Sequence, residues 1–138
     1  MPKKHLNPDA LFDGRPFGFS QVVAATGGQT VYIAGQVAWD SERNLVGPGD
    51  LRAQVWQSLR NLQTAVQAAG GGLSDVVALR IYIKQSELED TRAISDGLKE
   101  FFPSESAPTS TWIGVPALAD PNFLVEIEAV AVLEEEIQ

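Results

Sequence analysis

Two glutamates on one strand are the side chains of this sequence best placed to do chemistry. In the stretch FLVEIEAVA, period-two alternation puts Phe123, Val125, Ile127, Ala129 and Ala131 on one face, and Glu126 and Glu128 with Leu124 and Val130 on the other. The wholly apolar face belongs against a core. The acids on the opposite face either look into an interface or pocket, where partial desolvation raises a carboxylate's basicity, or lie on a wet sheet surface. A hydroxyl-rich strand, APTSTW at 107–112, and a proline-punctuated loop come just before them.

Much other chemistry is excluded by what the chain lacks. There is no cysteine, hence no thiolate nucleophile, disulfide or cysteine metal site, and His5 is the only histidine, so no Ser/His/Asp set can form and no metal is expected. The glycines 70–72 follow a helical stretch instead of opening one, which is the wrong context for cradling phosphate; no cofactor is expected. Eighteen acids against ten bases give a net charge of −8, which repels phosphate backbones and argues against a nucleic-acid partner. The start MPKKHLNPD has no apolar signal core, and no run approaches the roughly 18 residues of a membrane span, so no membrane partner and a cytoplasmic location are expected.

The elements that must carry the glutamates read as one domain over residues 1–138, with an extended N-terminal segment at 1–16, where His5 is expected to be loose, and an acidic tail at 134–138. Residues 17–25 and 29–39 read as strands, and the break at 26–29 is short enough for a hairpin. Asp50 is a plausible N-cap, and Leu51, Val55, Leu59, Leu62, Val66 and Ala69 draw one apolar stripe along a helix that ends at the glycines. Residues 73–84 alternate again, with Val77, Leu79, Ile81 and Ile83 opposite Ala78, Arg80, Tyr82 and Lys84. Ser86 and Glu89 have capping-box spacing for a second helix through Phe102, which Pro103 stops. Helices placed between strands imply an α+β fold, with both helices on one face of a mixed sheet. The other face would carry Tyr32, Gln36, Arg80, Tyr82, Glu126 and Glu128 among aliphatics, too apolar to stay wet, and so a homo-oligomer is expected.

Several segments together resemble the RidA/YjgF family: the LNPD start, Phe19-Ser20-Gln21, the strand VYIAGQV at 31–37, Gln54 with SLRNL at 58–62, AAG at 68–70, DVV at 75–77, and VEIEA at 125–129. The resemblance spans nearly everything from residue 6 to 133. It implies a six-stranded mixed sheet with two helices on one face (the chorismate-mutase-like RidA fold), and a homotrimer with a barrel-like centre and clefts between subunits. In deaminating members the cleft hydrolyses reactive enamines and imines, and an arginine grips the substrate carboxylate through a fork of N–H donors. Aligned through Ser110 and Thr111, that arginine is here Thr109.

By the same resemblance Glu126 corresponds to the glutamate that positions or activates water, and Gly35 to a residue whose backbone approaches the ligand. Thr111 stands where relatives have a small polar residue, and Phe19 replaces a cleft tyrosine. Glu128 is about 7 Å further along the strand and is not expected to share the same substrate atom. Arg15 and Arg80 are the arginines that could replace the lost grip. The implied function is hydrolysis of a small imine, enamine or related C–N metabolite by a Glu126-positioned water, outside the arginine-dependent 2-aminoacrylate class. Two alternatives stay open: a non-catalytic trimer of the same fold that binds a small metabolite, and an RNA-cleaving activity, which the charge disfavours.

Overall fold

The computed structural model describes residues 3–134, so Met1, Pro2 and residues 135–138 of the expected acidic tail lie outside the described residues. Along the chain run β1 (Lys3–Leu6), β2 (Val22–Ala25), β3 (Gln29–Gln36), α1 (Leu51–Ala68), β4 (Val76–Lys84), α2 (Arg92–Phe101), β5 (Thr109–Val115) and β6 (Val125–Leu133). The α+β architecture has its two helices on one side of a four-stranded mixed sheet, ordered β3-β6-β4-β5. β4 and β5 are parallel, joined by α2 as the crossover that parallel neighbours require, while β6 is antiparallel to both β3 and β4. The six strands do not make a single sheet, because β1 and β2 pair with each other separately.

Alternation decides which face is covered. Leu79, Ile81 and Ile83 of β4 and Val125, Ile127, Ala129 and Ala131 of β6 are buried beneath the helices. The α1 stripe meets them with Val55, Leu59, Leu62 and Val66, all fully buried. Asp50 caps α1, accepting from the Ala53 amide at 3.1 Å, and Gly70, at φ +94°, supplies the left-handed residue after the helix. Gln54, also fully buried, ties α1 to two loops: its Nε2 donates to the Gly47 and Asn122 carbonyls at 3.1 Å, and its Oε1 accepts from the Leu124 amide at 2.9 Å. That loop leads directly into β6, so the helix anchors the glutamate strand.

Three local expectations are corrected. The break at 26–29 makes no hairpin: β2 pairs with β1, β3 pairs with β6, and Gly27 and Gly28 carry the chain from one sheet to the other with φ near +70°. Here a side chain at Gly28 would collide with the Leu133 carbonyl oxygen, 1.7 Å from its Cβ position. The N-terminal segment is not loose, since His5 lies in β1 opposite Val23 and Lys3 pairs with Asp75 at 3.3 Å. The capping box is not made either. Ser86 Oγ donates to Glu87 at 2.9 Å, residues Gln85–Glu87 form a single 3-10 turn, and α2 starts at Arg92, whose amide and guanidinium are both held by Asp90. Leu88 is thereby left to pack over Gly114, where a Cβ would come within 2.7 Å of it.

Candidate functional site

The face of the sheet away from the helices gathers the acids. Strand register sets three rows across it: Tyr32, Val130, Ala78 and Thr109; then Glu128, Arg80 and Thr111; then Glu126, Tyr82 and Ile113. Side chains directly opposite each other share a face, so these rows are contact neighbourhoods. Tyr32 is 81% exposed and Arg80 is exposed beside it. Gln36 does not join them: an irregularity between Ile33 and Gln36 sets it opposite the core residue Ile127.

That irregularity brings the backbone of Gly35 against Glu126. A Cβ built at Gly35 would lie 2.0 Å from Glu126 Oε2, so the carboxylate occupies the space that any side chain at 35 would need. A glycine at a bulge serves such a close approach. The two glutamates then differ in their partners. The Tyr82 hydroxyl passes over its own cross-strand neighbour, Glu126, and donates diagonally to Glu128. This bond holds the phenol above its ordinary value of 10, with partial desolvation and the Glu128 charge adding to it and Arg80 opposing it. Among the described residues nothing donates a side-chain hydrogen bond or ion pair to Glu126, leaving its oxygens free for water or a ligand.

The other candidate residues stand elsewhere. Thr109 and Thr111 share the open face with Glu126, but on the edge strand β5, two strands away. Strand spacing and rise place Thr111 about 12 Å and Thr109 about 17 Å from Glu126 along the sheet, beyond the reach of one small molecule. Thr109 Oγ1 already donates to the Val77 carbonyl at 3.2 Å. Phe19 lies beyond the edge of β5, near Ser110 and Trp112, which alternate to the helix side. The structure therefore joins Gly35 with Glu126 near one edge of the sheet, and Phe19 with the β5 residues at the other.

Of the two arginines, Arg15 is engaged, its guanidinium gripping Asp13 through Nε at 2.8 Å and Nη2 at 3.0 Å. Arg80 stands between Glu128 and Thr111 with no ion pair among the described residues. Among those residues no three His, Cys, Asp or Glu side chains come together to hold a metal, and no helix is long and apolar enough to cross a membrane. Two neighbourhoods are not directly legible in the sequence: Tyr82 as the partner of Glu128, which depends on register, and Phe12 and Phe17 around Phe19. The second had a visible signal, three phenylalanines within eight residues around Gly14 and Pro16.

Known proteins show the same arrangement of sequence and fold. A family described as Endoribonuclease L-PSP matches residues 15–133. Over 121 residues the chain is 38% identical to a 2-iminobutanoate/2-iminopropanoate deaminase of Dermatophagoides farinae, covering 87% of this chain and 90% of that protein. It is 33% identical over 121 residues to a RutC family protein of Pyrococcus horikoshii, covering 87% and 91%. Among solved structures, the crystal structure of YyfB from Yersinia pestis, a protein of unknown function of the conserved Rid family, superposes with a TM-score of 0.91 at 41% identity, over 96% of this chain and 100% of that one.

Proposed function

The chain belongs to the RidA/YjgF family, and from that premise we propose that it hydrolyses a small imine or enamine to a carbonyl compound and ammonia, with Glu126 positioning the attacking water. The observation that carries this reading is the contrast between the two acids: Glu128 is occupied by Tyr82, while Glu126 is held against Gly35 with its oxygens unclaimed among the described residues. Water adds to the carbon of the C=N bond as Glu126 accepts its proton, giving a carbinolamine. Glu126 passes that proton to nitrogen, then takes the hydroxyl proton as the C–N bond breaks, so that ammonia leaves as the carbonyl forms. An enamine enters the same path after protonation on carbon.

One copy holds two half-sites. Gly35 and Glu126 lie toward the β3 edge, and Phe19, Thr109 and Thr111 lie at the β5 edge. A head-to-tail ring brings unlike edges of successive copies together, which supports a closed homotrimer with one cleft per interface. The partners are then further copies of this chain and a small metabolite. Within that cleft Thr109 offers no charge, and its hydroxyl is already spent on Val77. Losing a charge-assisted carboxylate grip costs about 1.5 to 3 kcal/mol, roughly 10- to 150-fold in affinity, which sets this chain outside the class that depends on the arginine. RNA cleavage, the activity in the family's description, fits poorly with a net charge of −8 and a lone histidine in β1.

The test compares wild type with Glu126→Gln on imines generated in situ, 2-aminoacrylate and several neutral or aromatic ketimines among them. Faster decay and ammonia release with wild type, lost in the variant, is the expected result. If every imine decays at the buffer rate with both proteins, hydrolysis is refuted and the binding-only trimer takes its place.

A further inference from the structure

An aromatic concavity lies at the free edge of β5, outside the polar face. Phe12, Phe17, Phe19, Ser110 and Trp112 line a recess of about 240 Å³. The three phenylalanines form one cluster: Phe12 meets Phe17 and Phe19 edge-on, at centroid distances of 6.3 and 6.1 Å, and Phe17 stacks on Phe19 at 6.5 Å. Two of these rings remain wet, Phe12 at 65% and Phe17 at 47% exposure. Rings of this size contribute strongly when buried, so an open cluster of them marks a binding surface.

The recess is built, not a chance grouping. Phe17 and Phe19 are set by their amides, which both donate to the Gly14 carbonyl, at 2.9 and 3.2 Å. Gly14 must lack a side chain, because a Cβ there would lie 2.6 Å from the Phe19 ring. Gly18, at φ +94°, closes the turn, and the Asp13–Arg15 clamp stiffens it. Gln21 donates to the Phe12 carbonyl at 3.0 Å, and the Ser20 amide donates to the Pro108 carbonyl at 2.9 Å, docking the turn onto the start of β5. On the other wall the Trp112 indole N–H is satisfied by Ser110 Oγ at 2.8 Å.

We infer that this recess is a specificity site that takes a flat, uncharged aromatic group of a small molecule. Four aromatic walls carry no charge, and the indole donor is already used, so neither an anion nor a strongly polar group is satisfied there. The volume falls below the roughly 300–1,000 Å³ of sites for drug-sized ligands, which fits one ring and not a peptide segment. Ser110 and Trp112 alternate along β5 with Thr109 and Thr111, so the recess borders the proposed cleft across a single strand. The assignment rests on the imine-hydrolase reading for what is attached to the ring; the binding of the ring stands independently of it.

The test titrates the full-length protein with acetophenone, and with acetone as the non-aromatic control, in ligand-observed NMR, for wild type, Phe12→Ala and Phe17→Ala. Both positions are exposed enough for the variants to fold, which melting temperature and light-scattering mass check. Acetophenone should bind detectably more tightly than acetone, and each variant should weaken it about two- to tenfold, the worth of one aromatic pair. Acetophenone binding no better than acetone, or equally well to the variants, overturns the proposal. So does a variant that loses assembly mass with its affinity intact, since the patch would then be a subunit contact. Loss of hydrolysis as a function, with Phe12-dependent acetophenone binding retained, would remove the enzyme reading alone. Glu126-dependent hydrolysis that ignores the ring would remove this one alone.

Discussion

Replacing Gly35 by alanine should stop turnover while leaving the fold standing. Gly35 lies outside the left-handed region, so its backbone accepts alanine. The new methyl would sit 2.0 Å from Glu126 Oε2, and ordinary contact begins at 3.4 Å, so the carboxylate must retreat by about 1.4 Å. Glu126 Cδ and Cγ, at 2.7 and 2.8 Å, must move as well, but all three atoms belong to one flexible side chain, so the cost in stability should stay near ~1 kcal/mol. Positioning is less forgiving: a displacement of about 1 Å can cost on the order of 10²-fold in rate, and a general base contributes about 10²- to 10⁴-fold in all. Gly35→Ala should therefore lose about two orders of magnitude in kcat/KM for whichever ketimine wild type hydrolyses. Adding it to Glu126→Gln should lose little more, because both remove the same group. The assay is imine decay with coupled ammonia detection, alongside thermal melting and light scattering. If Gly35→Ala turns over within about threefold of wild type, with Glu126→Gln inactive, the observed carboxylate position is not the working one and the reasoning fails.

Three further expectations follow. Gln54→Leu leaves the buried Leu124 amide without its acceptor and the part-buried Gly47 and Asn122 carbonyls without their donor, so it should destabilise by about 1–3 kcal/mol in denaturant unfolding at fixed protein concentration; no measurable loss would mean that water replaces the amide. Tyr82 is held protonated by donating to Glu128, so the contribution of that bond is complete below the ordinary value of 10 and fades as pH rises through the raised one. In a tyrosinate absorbance titration, wild type minus Tyr82→Phe should show a midpoint above 10, and Glu128→Gln should bring it down. Thr109→Arg returns a guanidinium to β5 and should raise 2-aminoacrylate turnover by about tenfold or more; no gain would mean that more than the anion grip has changed.

What could be read ahead of the structure follows a physical division. The α1 stripe, the Asp50 cap, the apolar face of β6 and that of β4 from Leu79 onward were legible because one-dimensional periodicity encodes burial on one side of an element, whereas an irregularity between Val76 and Ala78 puts Val76 in the core in place of the expected Val77. The partition of strands was not. Gly27 and Gly28 look like a hairpin turn locally, but pairing is decided by which distant strand offers a matching face, and β6 outcompeted β2 for β3. Ser86 and Glu89 have the right spacing for a cap, yet a 3-10 turn at Gln85–Glu87 and the grip of Asp90 on the Arg92 amide and guanidinium start the helix at Arg92 instead. The same distinction runs through the site. Alternation alone placed Glu126 and Glu128 on one face, whereas their separation into a partnered and an unpartnered acid needed the diagonal reach of Tyr82 and the bulge at Gly35.

The placement of the half-sites at opposite edges of one sheet has a consequence for inheritance. In the ring proposed above no subunit owns a cleft, since each supplies the acid to one neighbour and the β5 wall to the other. Subunits inactivated by Glu126→Gln and subunits whose β5 wall is blocked by a bulky residue at Thr111 would each assemble into dead rings on their own. Mixed together, they would form some interfaces at which two undamaged halves meet, so two defective alleles would restore activity to each other. Two lesions in the same half would not.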